Sequence, residues 1–296
     1  MIEKPVGKNY SKAINLLIFI FPIVINSLQV MGDIVLFILA MMGIFLAISK
    51  KISPFSIKEI KVFSYLTFGY FTAVFLSVLY SGQALELAHY IPRDFHFLFA
   101  PFIALALFKA EININYLIVG VKVSLLILGI IIFNQLLSGV SRPSGIMNAG
   151  VFGNLAVSLF FISLVFFQQE SFKNKLFTLL SLLSGLFIII ASGTRGAWLS
   201  FLILIFAYLY FFYKQKTRLI TRSKIIVIIA ILGIISFASI NQKLFDRVLD
   251  NRTVSSLSDI SSWTSGDQKQ TSVSLRLEMY KKAIINIEDV PFFGYG

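Results

Sequence analysis

The chain has 296 residues, of which 57% are hydrophobic and 14% are charged, and its formal net charge is +12. Soluble domains carry about 25% charged residues, and several apolar runs here approach or exceed the ~20 residues that cross a bilayer, so the composition excludes a water-soluble domain and predicts a polytopic α-helical membrane protein. The chain has no cysteine, which excludes disulfides, thiolate catalysis and thiolate metal sites.

Apolar runs separated by polar or helix-breaking residues predict an all-α bundle of about nine transmembrane spans. The first twelve residues are polar and basic, and no small-residue cleavage site follows the first run, so we expect a membrane span there rather than a removable signal peptide. The fourth run is short and contains Pro101, which favours a tilted or partly re-entrant segment. The predicted spans lie near residues 13–30, 33–49, 62–80, 95–108, 115–137, 151–168, 176–193, 197–213 and 225–240.

The placement of lysine and arginine predicts the orientation, because cytoplasmic loops are enriched in both. With the N-terminus inside, the external loops hold only Arg93, Arg142 and Arg195. The predicted cytoplasmic segments hold Lys4, Lys8, Lys12, Lys50, Lys51, Lys58, Lys61, Lys109, Lys173, Lys175, Lys214, Lys216, Arg218, Arg222 and Lys224. This asymmetry accounts for the net positive charge without a nucleic-acid partner. Lys122 lies inside the fifth span, where a side chain that snorkels to the membrane surface is the favoured interpretation.

Three regions follow from this topology: a cytoplasmic segment at 1–12, a transmembrane domain at 13–240 and an external segment at 241–296. The external segment begins with a solvated stretch rich in serine and other polar residues. The sequence LRLEMYKKAIINIEDV then predicts one amphipathic helix, which Asp289 and Pro291 close. The chain ends on PFFGYG with no further apolar run, so we expect an incomplete external loop.

The stretch SGTRGAWLS places Arg195 inside an apolar run that is bounded by Lys175 and Lys214. A single helix over that run would be nearly twice as long as the ~30 Å hydrocarbon layer. The run must therefore fold back as a hairpin, with Gly193 and Gly196 predicted to form its turn and Arg195 at its external tip. Either Arg195 lies at headgroup level, or it binds an anion together with the N-terminus of the next helix, and the residues alone do not favour one interpretation.

Two further arginines are predicted on the external side. Arg142 lies in the loop SGVSRPSGIMNAGVFGN, whose glycines permit close approach to a ligand and whose Asn148 can bond a sugar or phosphate, although an ordinary connector fits the same residues. Arg276 opens the predicted amphipathic helix, where such charges commonly face solvent or headgroups. Three arginines on one side nevertheless indicate an anionic partner.

The sequence contains few residues that match known catalytic or metal-binding motifs. His89 and His96, predicted in the external loop before span four, have the spacing of one helical face, but interfacial aromatics explain them better than a metal or base role. The sequence contains no P-loop, GxGxxG after a strand, HExxH or GxSxG, and its terminal GYG lacks the preceding Thr-Val of a potassium filter. We therefore predict no metal and no cofactor.

Three stretches carry a resemblance to a known family: RPSGIMNAGVFGN, SGTRGAWLS and SLRLEMYKKAIINIEDVPFFGYG, in this order. Together they resemble the O-antigen ligase and O-antigen polymerase family of bacterial inner-membrane proteins. In that family a small-Arg-Gly-Ala tip and an Arg-x-x-x-aromatic helix ending in Pro-x-x-Gly-x-Gly recur around a large periplasmic loop. The resemblance covers the chain from about Arg142 to its end.

The resemblance implies a GT-C-like, metal-independent glycosyltransferase that uses an undecaprenyl-diphosphate-linked glycan as donor and a lipid or another glycan as acceptor. Residues matching Arg195 and Arg276 hold the diphosphate in that family; Arg142 is a third candidate and Asn148 a candidate glycan contact. The family's ligases place a proposed catalytic histidine beyond the Gly-x-Gly, where this sequence has already ended, so the catalytic residue is unknown and a chain ending at Gly296 is expected to have little transferase activity.

Two other functions stay open at the level of sequence. A transporter or flippase for a lipid-linked glycan or a small anion would also use external and intramembrane cations, but it should carry charged residues deep within several spans. A non-catalytic membrane subunit is the third interpretation. No residue distinguishes a ligase from a polymerase.

Overall fold

The structure, a computed structural model, describes residues 7–28, 30–80, 87–140, 142–214 and 272–289. Within these residues the chain is all helical, with no strand. Nine α-helices fall in the described residues: α1 Lys8–Ser27, α2 Met31–Ser49, α3 Lys58–Tyr80, α4 Leu87–Phe108, α5 Ile114–Leu137, α6 Ala149–Ser163, α7 Phe172–Ala191, α8 Arg195–Lys214 and α9 Ser272–Asp289. A short 3-10 helix, Phe167–Gln169, lies between α6 and α7.

The described helices confirm a polytopic helical membrane protein. In the described residues, α1, α2, α3, α5 and α7 are long and apolar enough to cross a bilayer, and shorter apolar helices occupy Asp94–Phe108, Gly150–Ser163 and Gly196–Tyr208. Helices α1 to α8 coincide with the first eight predicted spans. The ninth predicted span and most of the predicted external segment lie outside the described residues, so the count of nine stays a prediction.

Helix α4 differs from its prediction in two ways. It continues through Pro101, so the interruption predicted there is wrong. Pro101 is fully buried, and a helix bundle tolerates proline because neighbouring helices can satisfy the freed backbone groups. The helix also begins at Leu87, which places His89 and His96 in α4 rather than in a loop.

The chain divides into two compact units: Met1–Thr67 with Phe99–Leu232, and Phe68–Leu98 with Gly233–Gly296. In the second unit α3 and α4 meet through aromatic rings, with the Tyr70 and Phe97 centroids 4.5 Å apart. The second unit also contains α9. The first unit contains α1, α2 and α5 to α8, and with them Arg142, Asn148 and Arg195.

Helix α5 is central to the first unit and packs against α1, α6 and α7. Its Leu125, Leu128 and Ile132 are fully buried. Small residues bring the helices close: a Cβ at Gly120 would overlap the Phe19 carbonyl oxygen of α1, and one at Gly129 would overlap the Ser184 hydroxyl of α7. This close packing at small residues is typical of membrane helix bundles.

Segments predicted on the same side of the membrane lie at the same end of the first unit. At one end Ser11 and Asn15, in the first turns of α1, bond the α4–α5 connector: Glu111 N donates to Ser11 Oγ (3.1 Å) and Asn113 N to Asn15 Oδ1 (2.9 Å). At the opposite end the α5–α6 loop meets the α7–α8 turn. The grouping agrees with the predicted topology, whereas the end that faces the cytoplasm stays a prediction.

Lys122 corrects one prediction. Its side chain is buried, and its ammonium pairs with the Glu170 carboxylate in the α6–α7 connector. Glu170 also accepts a hydrogen bond from Thr178 Oγ1 of α7 (2.6 Å). The prediction of a snorkelling lysine is therefore wrong, because a carboxylate 48 residues away in the sequence satisfies the charge inside the protein.

Candidate anion site at the ends of α6 and α8

The turn between α7 and α8 confirms the predicted hairpin. Gly193 adopts φ +57°, a left-handed conformation that glycine reaches without steric cost. Ser192 Oγ donates to Ile189 O (2.9 Å) and accepts from Thr194 N (3.4 Å), which fixes the turn on the end of α7. Gly196 takes no part in the turn: it is the second residue of α8, so its predicted role is wrong.

Arg195 is the first residue of α8, directly after this turn. The turn is held from the α8 side as well, because Trp198 Nε1 donates to Ile189 O (3.1 Å). The first backbone N–H groups of a helix have no partner within the helix, and the helix dipole adds positive potential there. The backbone of Arg195 therefore stands where an anion is favoured.

The α5–α6 loop carries Arg142 and is tied to α5 by a residue that the sequence analysis missed. Gln135 Oε1 accepts from Ser144 N and Gly145 N (3.0 Å each), and its Nε2 donates to Gly145 O (2.9 Å). Gly145 itself has φ +64°. The one signal in the sequence is an amide near the predicted outer end of an apolar span, and it does not reveal the partners of that amide.

Asn148 ends this loop as the N-cap of α6. Its Oδ1 accepts from Gly150 N (2.9 Å), which satisfies one of the free N–H groups at the start of the helix. The side chain is exposed, and its Nδ2 donates to no described residue. Asn148 thus has a structural role that the sequence analysis did not assign, while its amide nitrogen stays accessible.

The α5–α6 loop and the α7–α8 turn are in contact. Arg142 Nε donates to Ser192 O across 3.5 Å. Gly153 of α6 packs against the turn so closely that a Cβ there would lie 2.8 Å from Thr194 Cβ and 2.9 Å from Ser192 Oγ. The N-termini of α6 and α8 therefore lie side by side, with Arg142 beside them.

Arg142 is exposed and forms no ion pair with any residue in the described ranges. A guanidinium presents several N–H donors in one plane, a geometry that matches phosphate oxygens. One of these donors makes the long bond to the Ser192 carbonyl, which leaves the others for an anion. The arrangement can thus bind a phosphate-like group through side-chain and backbone donors together.

Arg276 lies in the second unit, in the helix α9 that the sequence predicted. The helix begins at Ser272, so Arg276 falls in its second turn and does not open it as predicted. Helical spacing places Arg276 on one stripe with five further side chains, all apolar or aromatic: Met279, Tyr280, Ala283, Ile284 and Ile287. An arginine within an apolar stripe is unusual for a merely solvated charge, which favours a ligand or headgroup contact.

The histidines do not form a site in the described part of the chain. His96 is exposed on α4, and within the described residues no group of three or more His, Cys, Asp or Glu side chains converges as metal ligands do. The role of His89 as a ligand or base, already disfavoured by the sequence, gains no support.

Comparison with known proteins identifies the second part of the chain. A family model described as O-antigen ligase matches residues 177–296, which begin in α7 and include the α7–α8 turn, α8 and α9. The match covers less than half of the chain, and it makes residues 177–296 similar to the O-antigen ligase family. Arg195 and Arg276 lie within the matched residues, whereas Arg142 and Asn148 precede them.

A relative extends the similarity over the remaining chain. An uncharacterised protein of Haemophilus influenzae is 28% identical over 297 aligned positions, which cover 98% of this chain and 71% of the relative. The apolar helices, the match to an O-antigen ligase family model and the bacterial relative together indicate a bacterial membrane protein.

Proposed function

We propose that the chain takes part, as a component of the full-length protein, in the transfer of a glycan from undecaprenyl diphosphate to a lipid or glycan acceptor at the outer face of the bacterial inner membrane. In this proposal Arg195 and Arg142 bind the donor diphosphate together and Asn148 contacts the glycan. Arg276, in the second unit, is a separate candidate for contact with the donor diphosphate. The observation that carries the proposal is the meeting of Arg142 with the N-termini of α6 and α8.

The chemistry requires positive charge at the diphosphate. When the glycosidic bond to the donor breaks, negative charge develops on the leaving diphosphate, and donors fixed in place beforehand stabilise it in the transition state. Arginine side chains suit this role because their planar N–H groups bond two oxygens at once. Helix N-termini supplement them with backbone N–H groups. The proposal uses no metal and no cofactor.

Transport of a lipid-linked glycan or small anion is less well supported. A translocation path needs charges deep within the bundle that a substrate can reach. Lys122, the lysine buried within a long span, is already paired with Glu170. A non-catalytic membrane subunit is the other alternative.

The test replaces Arg195 with alanine or lysine in full-length protein and follows the length and attachment of surface glycan in cells. We expect Arg195→Ala to abolish most transfer and Arg195→Lys to retain part of it, because lysine keeps the charge but loses the bidentate geometry. Arg93→Ala, which removes another arginine predicted on the same side, is the charge-matched control. Unchanged glycan in Arg195→Ala at equal protein level would refute the proposal.

Orientation can be tested independently of activity. The chain has no native cysteine, so single cysteines report without background. We expect Ser138→Cys, at the α5–α6 end, to react with a membrane-impermeant maleimide from the outer face, and Lys173→Cys, at the start of α7, to react only after permeabilisation. The reverse pattern would overturn the predicted topology and, with it, the proposed outer-face site.

A further inference from the structure

Gln135 is bonded to the chain on both sides of Arg142. Its backbone carbonyl accepts from Val140 N (3.0 Å), two residues before the arginine. Its side chain bonds Ser144 and Gly145, two and three residues after it. We propose that Gln135 is a positioning residue, which holds Arg142 against the α7–α8 turn for diphosphate binding; this rests on the proposed function.

The three side-chain bonds need a carboxamide. The oxygen of Gln135 accepts from two backbone N–H groups while its nitrogen donates to a backbone carbonyl, and glutamine provides both functions at this length. Glutamate keeps the acceptor, loses the donor and sets a carboxylate against the Gly145 carbonyl. Methionine keeps the length and shape but makes none of the three bonds.

Among the described residues 142–147, few other hydrogen bonds lie near Arg142. Pro143 has no backbone N–H. Gly145 stands in the left-handed region, so this part of the chain cannot continue as regular helix. A further local bond across the stretch runs from Met147 N to Ser144 O (3.2 Å), and its acceptor belongs to a residue that Gln135 itself holds. Gln135 therefore contributes bonds to the described chain on both sides of Arg142.

The consequence concerns donor binding. Arg142 reaches Ser192 O through a bond of 3.5 Å, which is too long to hold the loop by itself. Without the side-chain bonds from Gln135 the α5–α6 loop samples more conformations, and the Arg142 guanidinium spends less time at the position where it would bind the diphosphate. Loss of the Gln135 side-chain bonds should therefore raise the donor KM more than it lowers kcat.

The test uses Gln135→Met and Gln135→Glu in the full chain, with Asn134→Leu as matched control. Asn134 is the neighbouring exposed amide on α5, and its side chain bonds no described residue. Hydrogen exchange at Ser144 and Gly145 is measured first. We expect Gln135→Met to accelerate exchange there by about tenfold or more, Gln135→Glu to accelerate it less, and Asn134→Leu to leave it unchanged.

Transfer kinetics with undecaprenyl-diphosphate-linked glycan as donor are measured next. We expect Gln135→Met to raise the donor KM by roughly tenfold with kcat nearly kept, and to add no further increase in the Arg142→Ala background, because both changes remove the same interaction. A general loss of folding would instead lower kcat and add to the effect of Arg142→Ala.

The outcomes separate the two proposals. If Arg142→Ala and Arg195→Ala weaken donor use but Gln135→Met changes neither exchange nor KM, the positioning role is wrong and the proposed function stands. If exchange accelerates as expected while the arginine variants keep wild-type donor KM, Gln135 holds the loop but the diphosphate site is wrong. If Gln135→Met raises KM equally with and without Arg142, the glutamine does not act through that arginine.

Discussion

The two ends of α5 hold cations in opposite circumstances. Near its start Lys122 is buried and paired with Glu170, whose second oxygen accepts from Thr178. Beyond its other end Arg142 is exposed, and its Nε donates to the backbone carbonyl of Ser192 across 3.5 Å. In the sequence both residues are cations near or inside apolar runs, but in the structure their environments differ.

The difference teaches how to interpret a cation in a membrane protein. A buried charge must be neutralised inside the protein, and a pair such as Lys122 and Glu170 therefore has a structural explanation that needs no ligand. An exposed arginine beside two helix N-termini, with no carboxylate partner in the described residues, has positive potential left for an anion. Three predictions test this distinction.

The largest effect is expected at the paired end. Lys122→Met leaves the Glu170 carboxylate buried without its cation, so we expect a loss of stability of about 3–5 kcal/mol. Thermal unfolding in detergent micelles measures it. The double variant Lys122→Met, Glu170→Met should recover most of the loss, and Lys173→Met, which changes an exposed lysine, should stay within about 0.5 kcal/mol of wild type. If the double variant loses as much stability as Lys122→Met alone, the interpretation of Lys122 and Glu170 as a purely structural pair is contradicted.

A smaller effect, on binding rather than stability, is expected for Arg142. Arg142→Ala should leave the unfolding free energy within about 0.5 kcal/mol of wild type, because the side chain is exposed. It should weaken donor binding by about 1.5–3 kcal/mol, which is roughly 10- to 100-fold, as for hydrogen bonds to a charged group. Donor KM in membranes and unfolding in micelles measure the two quantities. Lost stability with unchanged KM would make Arg142 structural, like Lys122.

The smallest effect is expected for Asn148, where a cap and a glycan contact can be separated. Asn148→Ala should cost about 1 kcal/mol of stability through loss of the α6 cap. Asn148→Ser keeps a capping oxygen and should restore stability, but it removes the amide nitrogen and should still lower transfer if that nitrogen contacts the glycan. Full recovery of transfer in Asn148→Ser would show that Asn148 acts only as the N-cap of α6 and does not contact the glycan.

The sequence predicted those parts of the fold that local patterns encode. Lys175 and Lys214 bounded a run too long for one span, and the hairpin with Gly193 in its turn is confirmed. The amphipathic helix α9 is confirmed in the same way, since helical spacing is visible in consecutive residues.

The remaining features depend on contacts between distant residues. Nothing near Lys122 in the sequence points to Glu170, and nothing near Gln135 shows that its amide would bond a loop about ten residues on. The contact of Gly153 with Thr194 needs the packing of α6 on the α7–α8 turn. Gly196 was misassigned because a glycine beside a turn also fits the first turn of a helix. The candidate site was therefore predicted as single residues, and the structure supplies their arrangement.

The most direct test of the central claim measures the binding of undecaprenyl diphosphate to the full chain in lipid nanodiscs. Wild type, Arg142→Ala, Arg195→Ala and the double variant are compared, with Arg93→Ala as control. If both arginines bind one diphosphate, each single variant should bind more weakly than wild type, and the two losses should couple instead of adding independently. Wild-type affinity in the double variant would contradict an anion site at the ends of α6 and α8.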